Sequence, residues 1–303
     1  MQRTLILAAL AAIIAAPPHA MAQDRQAESA AKAEVRDRIS VEIEGSGPDV
    51  ILIPGLASSR TVWSDLANRL RGNYRLHLVQ IAGFADMPNS DTAGDKVAAP
   101  AAEAIADYIL RENLQSPTVI GHSLGGEVGL MLAARHEGLV GRLMVVDALP
   151  FYSLLMNPTA TVDSVTPEAK AFRNALLSAT DEQADAMQAA AIARLVKTED
   201  ARASVVETGL ASDRKTVANA TYELMTTDLR DELGRISIPV EVVYAYDPIY
   251  GVPVDKVDAT FRSAYATAPT AQFTRIDDSF HFVMLDQPEE FAQAVWAFLA
   301  AGG

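Results

Sequence analysis

The chain has 303 residues, half of them hydrophobic, and a formal net charge of −14. An acidic balance of this size excludes general nucleic-acid binding, which needs a basic face. The composition reads as a soluble globular protein, long enough for one large core with an insertion or for two domains. Cysteine is absent, so neither a disulfide framework nor a cysteine nucleophile is available.

Arg3 carries the only charge in the opening stretch, and residues 5–16 form an apolar run too short to span a bilayer. Pro17-Pro18 breaks the run, and Ala20-Met21-Ala22 supplies small residues where a processing enzyme would read them. This order predicts a secretory signal peptide over residues 1–22, cleaved before Gln23, and an exported protein, periplasmic or secreted. No cysteine follows the run, so neither a lipid-anchored start nor any stable membrane anchor is expected.

Residues 39–43 alternate apolar and polar as an edge strand does. Asp49-Val50-Ile51-Leu52-Ile53 is a continuous apolar run, fit for a strand buried on both faces. A helix carrying Trp63, Leu66 and Leu70 follows, then strands at 75–80, 117–120 and 142–147, with helices at 96–112 and 127–135 between them. From Pro150 to about Arg230 no strand is predicted. That block is rich in alanine, glutamate and methionine, with helical stretches at 168–179, 181–195 and 214–229. Strand and helix then alternate again: 238–245, 254–265, 271–276 and 289–300. Alternation of this kind predicts a mostly parallel, doubly wound α/β sheet with a helical insertion. The core would comprise residues 23–149 and 232–303, and the insertion residues 150–231.

The strand ending at Ile120 runs into Gly121-His122-Ser123-Leu124-Gly125, a G-x-S-x-G turn that opens a helix. A serine on so tight a strand-to-helix turn needs side-chain-free neighbours two positions away. The turn presents Ser123 Oγ above the sheet and aims the Leu124 backbone N–H, at a helix N-terminus, toward any negative charge that develops on a substrate oxygen. The alternative is an ordinary glycine-rich turn whose serine merely caps the helix.

A serine hydroxyl needs a base. Five histidines are present. His19 lies in the signal, His77 inside a strand, His136 at the far end of a helix, and His122 next to Ser123, where it should point away from it. His281 lies between the last strand and the last helix, on the carboxyl edge that also carries Ser123, and is the expected base. The base needs an acid, and two aspartates end strands on that edge: Asp147 and Asp247. Asp247 gives the chain order Ser, Asp, His.

Strand, nucleophile turn, helical block, acid loop and histidine loop come in the order of the α/β-hydrolase superfamily of serine esterases, lipases and peptidases, which the chain resembles from about Ile39 onward. The resemblance implies a triad of Ser123, Asp247 and His281, with the Leu56 and Leu124 N–H groups as oxyanion hole. Asp247 holds the family's usual place, and Asp147 would anchor the hinge of the insertion. The insertion occupies the place of the family's cap, and Met156, Met187 and Met225 are candidates to line an acyl pocket beneath it. Two segments depart from the pattern. Pro54-Gly55-Leu56 stands for the usual His-Gly-x, and Gln80 replaces the acid of an Asp-x-x-Gly turn, which predicts a rim of different shape. A serine at position 123 excludes the branches that use an aspartate nucleophile.

The implied reaction is acyl transfer on a small-molecule carboxylic ester, with carbon–carbon bond hydrolysis or aminopeptidase action as the alternative chemistry. A binding module that keeps the fold without turnover is the alternative outside catalysis. H-E-x-x-H, P-loop and G-x-G-x-x-G motifs are absent, so no metal or organic cofactor is expected.

Overall fold

The computed structural model describes residues 37–89 and 95–301. The expected signal segment lies outside these residues. Among the described residues no helix is long and apolar enough to cross a membrane.

Seven strands form one sheet: β1 (Ile39–Gly45), β2 (Asp49–Ile53), β3 (Arg75–Ile81), β4 (Thr118–His122), β5 (Arg142–Val146), β6 (Val240–Tyr246) and β7 (Ala271–Asp277). Their spatial order is β1-β3-β2-β4-β5-β6-β7. β1 pairs antiparallel to β3 and every other pairing is parallel. The predicted sheet is therefore present, and the strand boundaries fall within two residues of those read from the apolar runs.

Helices cover both faces, which is why the central strands are apolar without alternation. Ile51 and Ile53 of β2 face a core shared with α2 (Ala98–Arg111), α3 (Leu124–Arg135) and α8 (Val254–Ala264). Val50 and Leu52 face the opposite core, with α1 (Ser64–Leu70) and α10 (Pro288–Ala300). Each such side chain contributes about 1.5–3 kcal/mol on full burial. The central strands therefore hold the scaffold, while the outer strand β1 leaves Ile43 exposed.

The insertion between β5 and β6 contains four helices: α4 (Val162–Ser178), α5 (Asp181–Ala193), α6 (Glu199–Leu210) and α7 (Arg214–Thr226). Thr161 and Thr180 close capping boxes at the starts of α4 and α5, and Asp213 caps α7. The sequence reading missed α6, whose apolar positions show little helical periodicity.

The insertion rests on loops at the carboxyl edge of the sheet, the edge that carries Ser123. Asp213 N–H donates to Gly83 O at 2.8 Å and Ala85 N–H to Ser212 Oγ at 2.9 Å. On the far side Phe282 N–H donates to Leu195 O at 3.2 Å. The Glu223 carboxylate of α7 accepts the N–H groups of Val97, Ala98 and Ala99 at 2.5, 2.9 and 3.0 Å, capping α2 where its dipole is positive. The methionine expectation fares differently: Met156 is 75% exposed and Met187 43% exposed, so both face solvent rather than a buried pocket.

Glu127, in the first turn of α3, is buried beneath this contact. Burial pushes its carboxyl well above the ordinary 4.5, the Glu223 carboxylate adds to the push, and Thr227 and Arg135 offset only part of it. A carboxyl raised in the folded state contributes stability that is complete below its unfolded value and is lost as pH rises through the folded one. The wild-type protein is therefore expected to lose stability toward alkaline pH more steeply than Glu127→Gln. The variant should be the more stable of the two at alkaline pH, and the difference should shrink as pH falls. Urea unfolding across pH 5–9 measures this, and parallel pH profiles for the two proteins would exclude Glu127 as the titrating group.

Candidate active site

Ser123 follows β4 directly with φ 53° and ψ −121°, a left-handed conformation costly for a residue with a side chain. The turn closes because glycines flank it. A Cβ on Gly121 would run into the Gly125 carbonyl, and one on Gly125 into the carbonyls of Ile53 and Pro54. The Ser123 side chain does not cap α3. Its hydroxyl is thus free of the helix-capping role that would have made the motif ordinary.

Gly55 packs against Ser123 Cβ and the His122 ring, which brings the loop after β2 alongside the serine. Within that loop Ala57 has φ 52° and Ser58 N–H turns back onto Gly55 O at 3.2 Å. The N–H groups of Leu56, in this loop, and Leu124, at the first position of α3, find no acceptor among the described residues.

His281 Nδ1 lies 2.7 Å from Asp147 Oδ2. This corrects the expectation that Asp247 is the partner of His281, and the reason is strand register. His122 of β4 pairs with Val146 of β5, so Ser123 and Asp147 leave adjacent strands at the same level. Val146 in turn pairs with Val243 of β6, but β6 continues to Tyr246. Asp247 therefore emerges three residues farther out than the level of Asp147, about 10 Å at strand rise. Asp147 also has positive φ, 47°, and its other oxygen accepts the Ala245 N–H at 2.9 Å, which fixes the carboxylate toward the histidine.

Asp247 is occupied elsewhere. It is 5% exposed, accepts Lys197 Nζ at 2.6 Å, and caps the turn at Ile249 N–H at 2.8 Å. The Lys197 ammonium holds its carboxyl below the usual carboxylate range, helped by the Ile249 N–H. Lys197 also binds Asp278 at the end of β7. Asp286 accepts the N–H groups of Lys197 at 3.0 Å, Thr198 at 2.8 Å and Phe280 at 2.9 Å. The segment between α5 and α6 is thereby tied to the two loops flanking His281. Asp147, expected at the hinge of the insertion, and Asp247, expected beside the histidine, have exchanged roles.

Three further residues bear on the site. Gln80, read only as a departure from a family pattern, is 3% exposed. It accepts Arg60 N–H at 2.8 Å and donates to Ser58 O at 3.0 Å and Phe84 O at 3.2 Å, bracing the loop that carries Leu56 against the loop after β3. A glutamine at a buried strand end was the available signal, because a buried amide must find partners for all its polar atoms. Lys197 carried no signal in sequence, since one lysine in a helical block reads as surface. The His122 ring lies against His281. Among the described residues no cluster of three or more His, Asp or Glu side chains is arranged to hold a metal ion.

Residues 50–294 match the sequence pattern of the alpha/beta hydrolase family. A pimeloyl-[acyl-carrier protein] methyl ester esterase of Vibrio cholerae is 25% identical over 262 residues, covering 85% of this chain and 96% of the relative. Among solved structures, a thermophilic esterase from Thermogutta terrifontis superposes with a TM-score of 0.70 at 22% identity, covering 87% of this chain and 93% of that one. An enol-lactonase from Burkholderia xenovorans does so with a TM-score of 0.70 at 17% identity, covering 86% and 96%. At these identities the two structures speak to the fold alone.

The Lys197 link makes a direct expectation. In Lys197→Met, amide hydrogen exchange should rise over residues 195–198 and 278–286 by up to about fivefold, the upper end for a half-exposed ion pair, while β2 exchanges as in the wild type. Unchanged exchange in both segments would mean that the Asp286 carboxylate alone holds the insertion there.

Proposed function

Since this chain belongs to the alpha/beta hydrolase family and is a hydrolase with esterases among its named relatives, we propose that it cleaves carboxylic esters by acyl transfer through Ser123, His281 and Asp147. The observation that carries the reading is the 2.7 Å bond from His281 Nδ1 to Asp147, on the same sheet edge as a serine whose hydroxyl does not cap its helix.

In the proposed reaction Ser123 Oγ attacks the ester carbonyl while His281 Nε2 takes its proton. Asp147 accepts the Nδ1–H and stabilises the imidazolium, holding the tautomer that leaves Nε2 free to act. The Leu56 and Leu124 N–H groups receive the oxyanion, each donor of this kind being worth roughly 3 kcal/mol in the transition state. His281 then protonates the departing alcohol. Water, deprotonated by the same imidazole, attacks the acyl-serine and releases the acid, restoring Ser123 Oγ–H. Support for an ester rather than an amide comes from the activities of the relatives, methyl ester hydrolysis in the Vibrio protein among them.

A fluorophosphonate probe should label wild-type protein at Ser123 and fail to label Ser123→Ala, and hydrolysis of a simple aryl ester should fall by roughly 10⁴-fold or more in that variant. A Ser123→Ala protein that keeps a tenth of wild-type turnover would refute the reading. Asp147→Asn should lower turnover by up to about 10⁴-fold, because asparagine favours the wrong histidine tautomer. Asp247→Asn should cost far less. The reverse order of damage would return the acid's role to Asp247.

The proposal extends to location on the strength of the opening sequence alone: an exported enzyme whose mature chain begins at Gln23. Intact-mass measurement of protein recovered from its native cell tests this, and a chain that retains Met1 in the cytoplasmic fraction would overturn it.

A further inference from the structure

We propose that His122, the residue before the nucleophile, is a positioning residue for His281: its ring N–H grips the His281 carbonyl, so consecutive residues at the end of β4 set both nucleophile and base. This rests on the reading of His281 as the base.

The His122 side chain is completely buried, and its Nε2 lies 3.0 Å from the His281 carbonyl oxygen. A carbonyl only accepts, so Nε2 carries the proton. Nδ1 has no hydrogen-bond partner and lies against Gly55. A second ring proton would have no acceptor, and it would place a cation 4.5 Å, ring centre to ring centre, from a histidine that turns cationic in the reaction. Burial, with the neighbouring His281 ring adding to it, holds the His122 ring well below the usual histidine range, so it stays a neutral donor. Trp63 meets it edge-on at 6.4 Å and Phe282 packs at 4.7 Å, leaving it a single orientation.

His281 needs such a grip. It lies in an irregular stretch between β7 and the short helix α9 (Val283–Asp286). Asp278 has φ 58°, and the Ser279 N–H reaches Tyr246 O only at 3.3 Å. Asp147 holds the imidazole at Nδ1, and His122 holds the backbone from which the side chain departs. With ring and backbone both held, the placement of the His281 imidazole is determined by two adjacent strands rather than by the loop. A misplacement near 1 Å costs on the order of a hundredfold in rate.

The test compares His122→Phe, which keeps a ring and loses the donor, with His122→Gln, which returns an N–H at the position of Nε2. With 4-nitrophenyl acetate, kcat of His122→Phe should fall about ten- to a hundredfold with KM nearly unchanged, and His122→Gln should recover most of the loss. A second readout needs no turnover: the downfield proton resonance of the His281 Nδ1–H bonded to Asp147 should broaden or vanish in His122→Phe and persist in His122→Gln. The positioning role is overturned if His122→Phe keeps kcat within twofold of wild type, if His122→Gln is as impaired as His122→Phe, or if the downfield line is unchanged in His122→Phe. A wild-type protein no more active than Ser123→Ala would sink the esterase reading instead, and the downfield line would still decide the role of His122.

Discussion

The register among β4, β5 and β6 is the constraint on which the site depends. Parallel pairing aligns His122 with Val146, so the residues that follow, Ser123 and Asp147, leave the sheet side by side. Both take positive φ, 53° and 47°, because each side chain must turn up from a strand end at once rather than after a loop. Such strain, of order 1–3 kcal/mol per residue, persists only where the surroundings enforce it. Here the Ser123 N–H bonds to Val146 O at 2.9 Å, and the Asp147 N–H to Val243 O at 2.7 Å. Each strand thus fixes the exit of its neighbour.

The same register divides labour between two aspartates that look alike in sequence. The one level with Ser123 meets the histidine. The one three residues farther out meets the insertion, through Lys197. A buried carboxylate needs a charged or hydrogen-bonding partner, and these two have different ones. Their partners also separate the electrostatics. The ammonium that neutralises Asp247 is not bonded to the acid facing His281, so tying down the insertion leaves the bond between His281 and Asp147 untouched.

Much of this was legible in the chain. Apolar runs and, at the edge, alternation placed the strands to within two residues, most sharply in the centre, where strands covered on both faces have no polar phase to blur their ends. Gly121, Ser123 and Gly125 marked the turn because few residue types fit it, and His281 stood out by elimination among five histidines. The acid was not legible. Choosing between Asp147 and Asp247 needs the relative heights of β5 and β6, a property of pairing that neither strand encodes by itself. Family order favoured the wrong one. The partners of Gln80 and Lys197 were hidden for the same reason: they lie 22 and 50 residues away, which only the folded chain brings within reach.

One consequence follows from an acid on β5. Asp147 is also the residue from which the chain departs, through Ala148, Leu149 and Pro150, into the insertion, so a rearrangement of the helices would carry the carboxylate with it unless the neck were fixed. The neck is fixed. Tyr265 Oη donates to Ala148 O at 2.8 Å, and the returning chain donates Leu229 N–H to Pro150 O at 2.8 Å. Arg230 then sits 5.3 Å over the Phe151 ring, which is itself wholly buried. Between Asp147 and Phe151 the backbone is therefore bonded to the core from one side and to the end of the insertion from the other. The contacts that bind the insertion to the histidine side are of a different kind: a lysine and two loop N–H groups that meet carboxylates at a partly exposed seam. Such contacts yield before a buried neck does. Local opening at the Lys197 seam would therefore leave Phe151 seated and the bond from Asp147 to His281 intact.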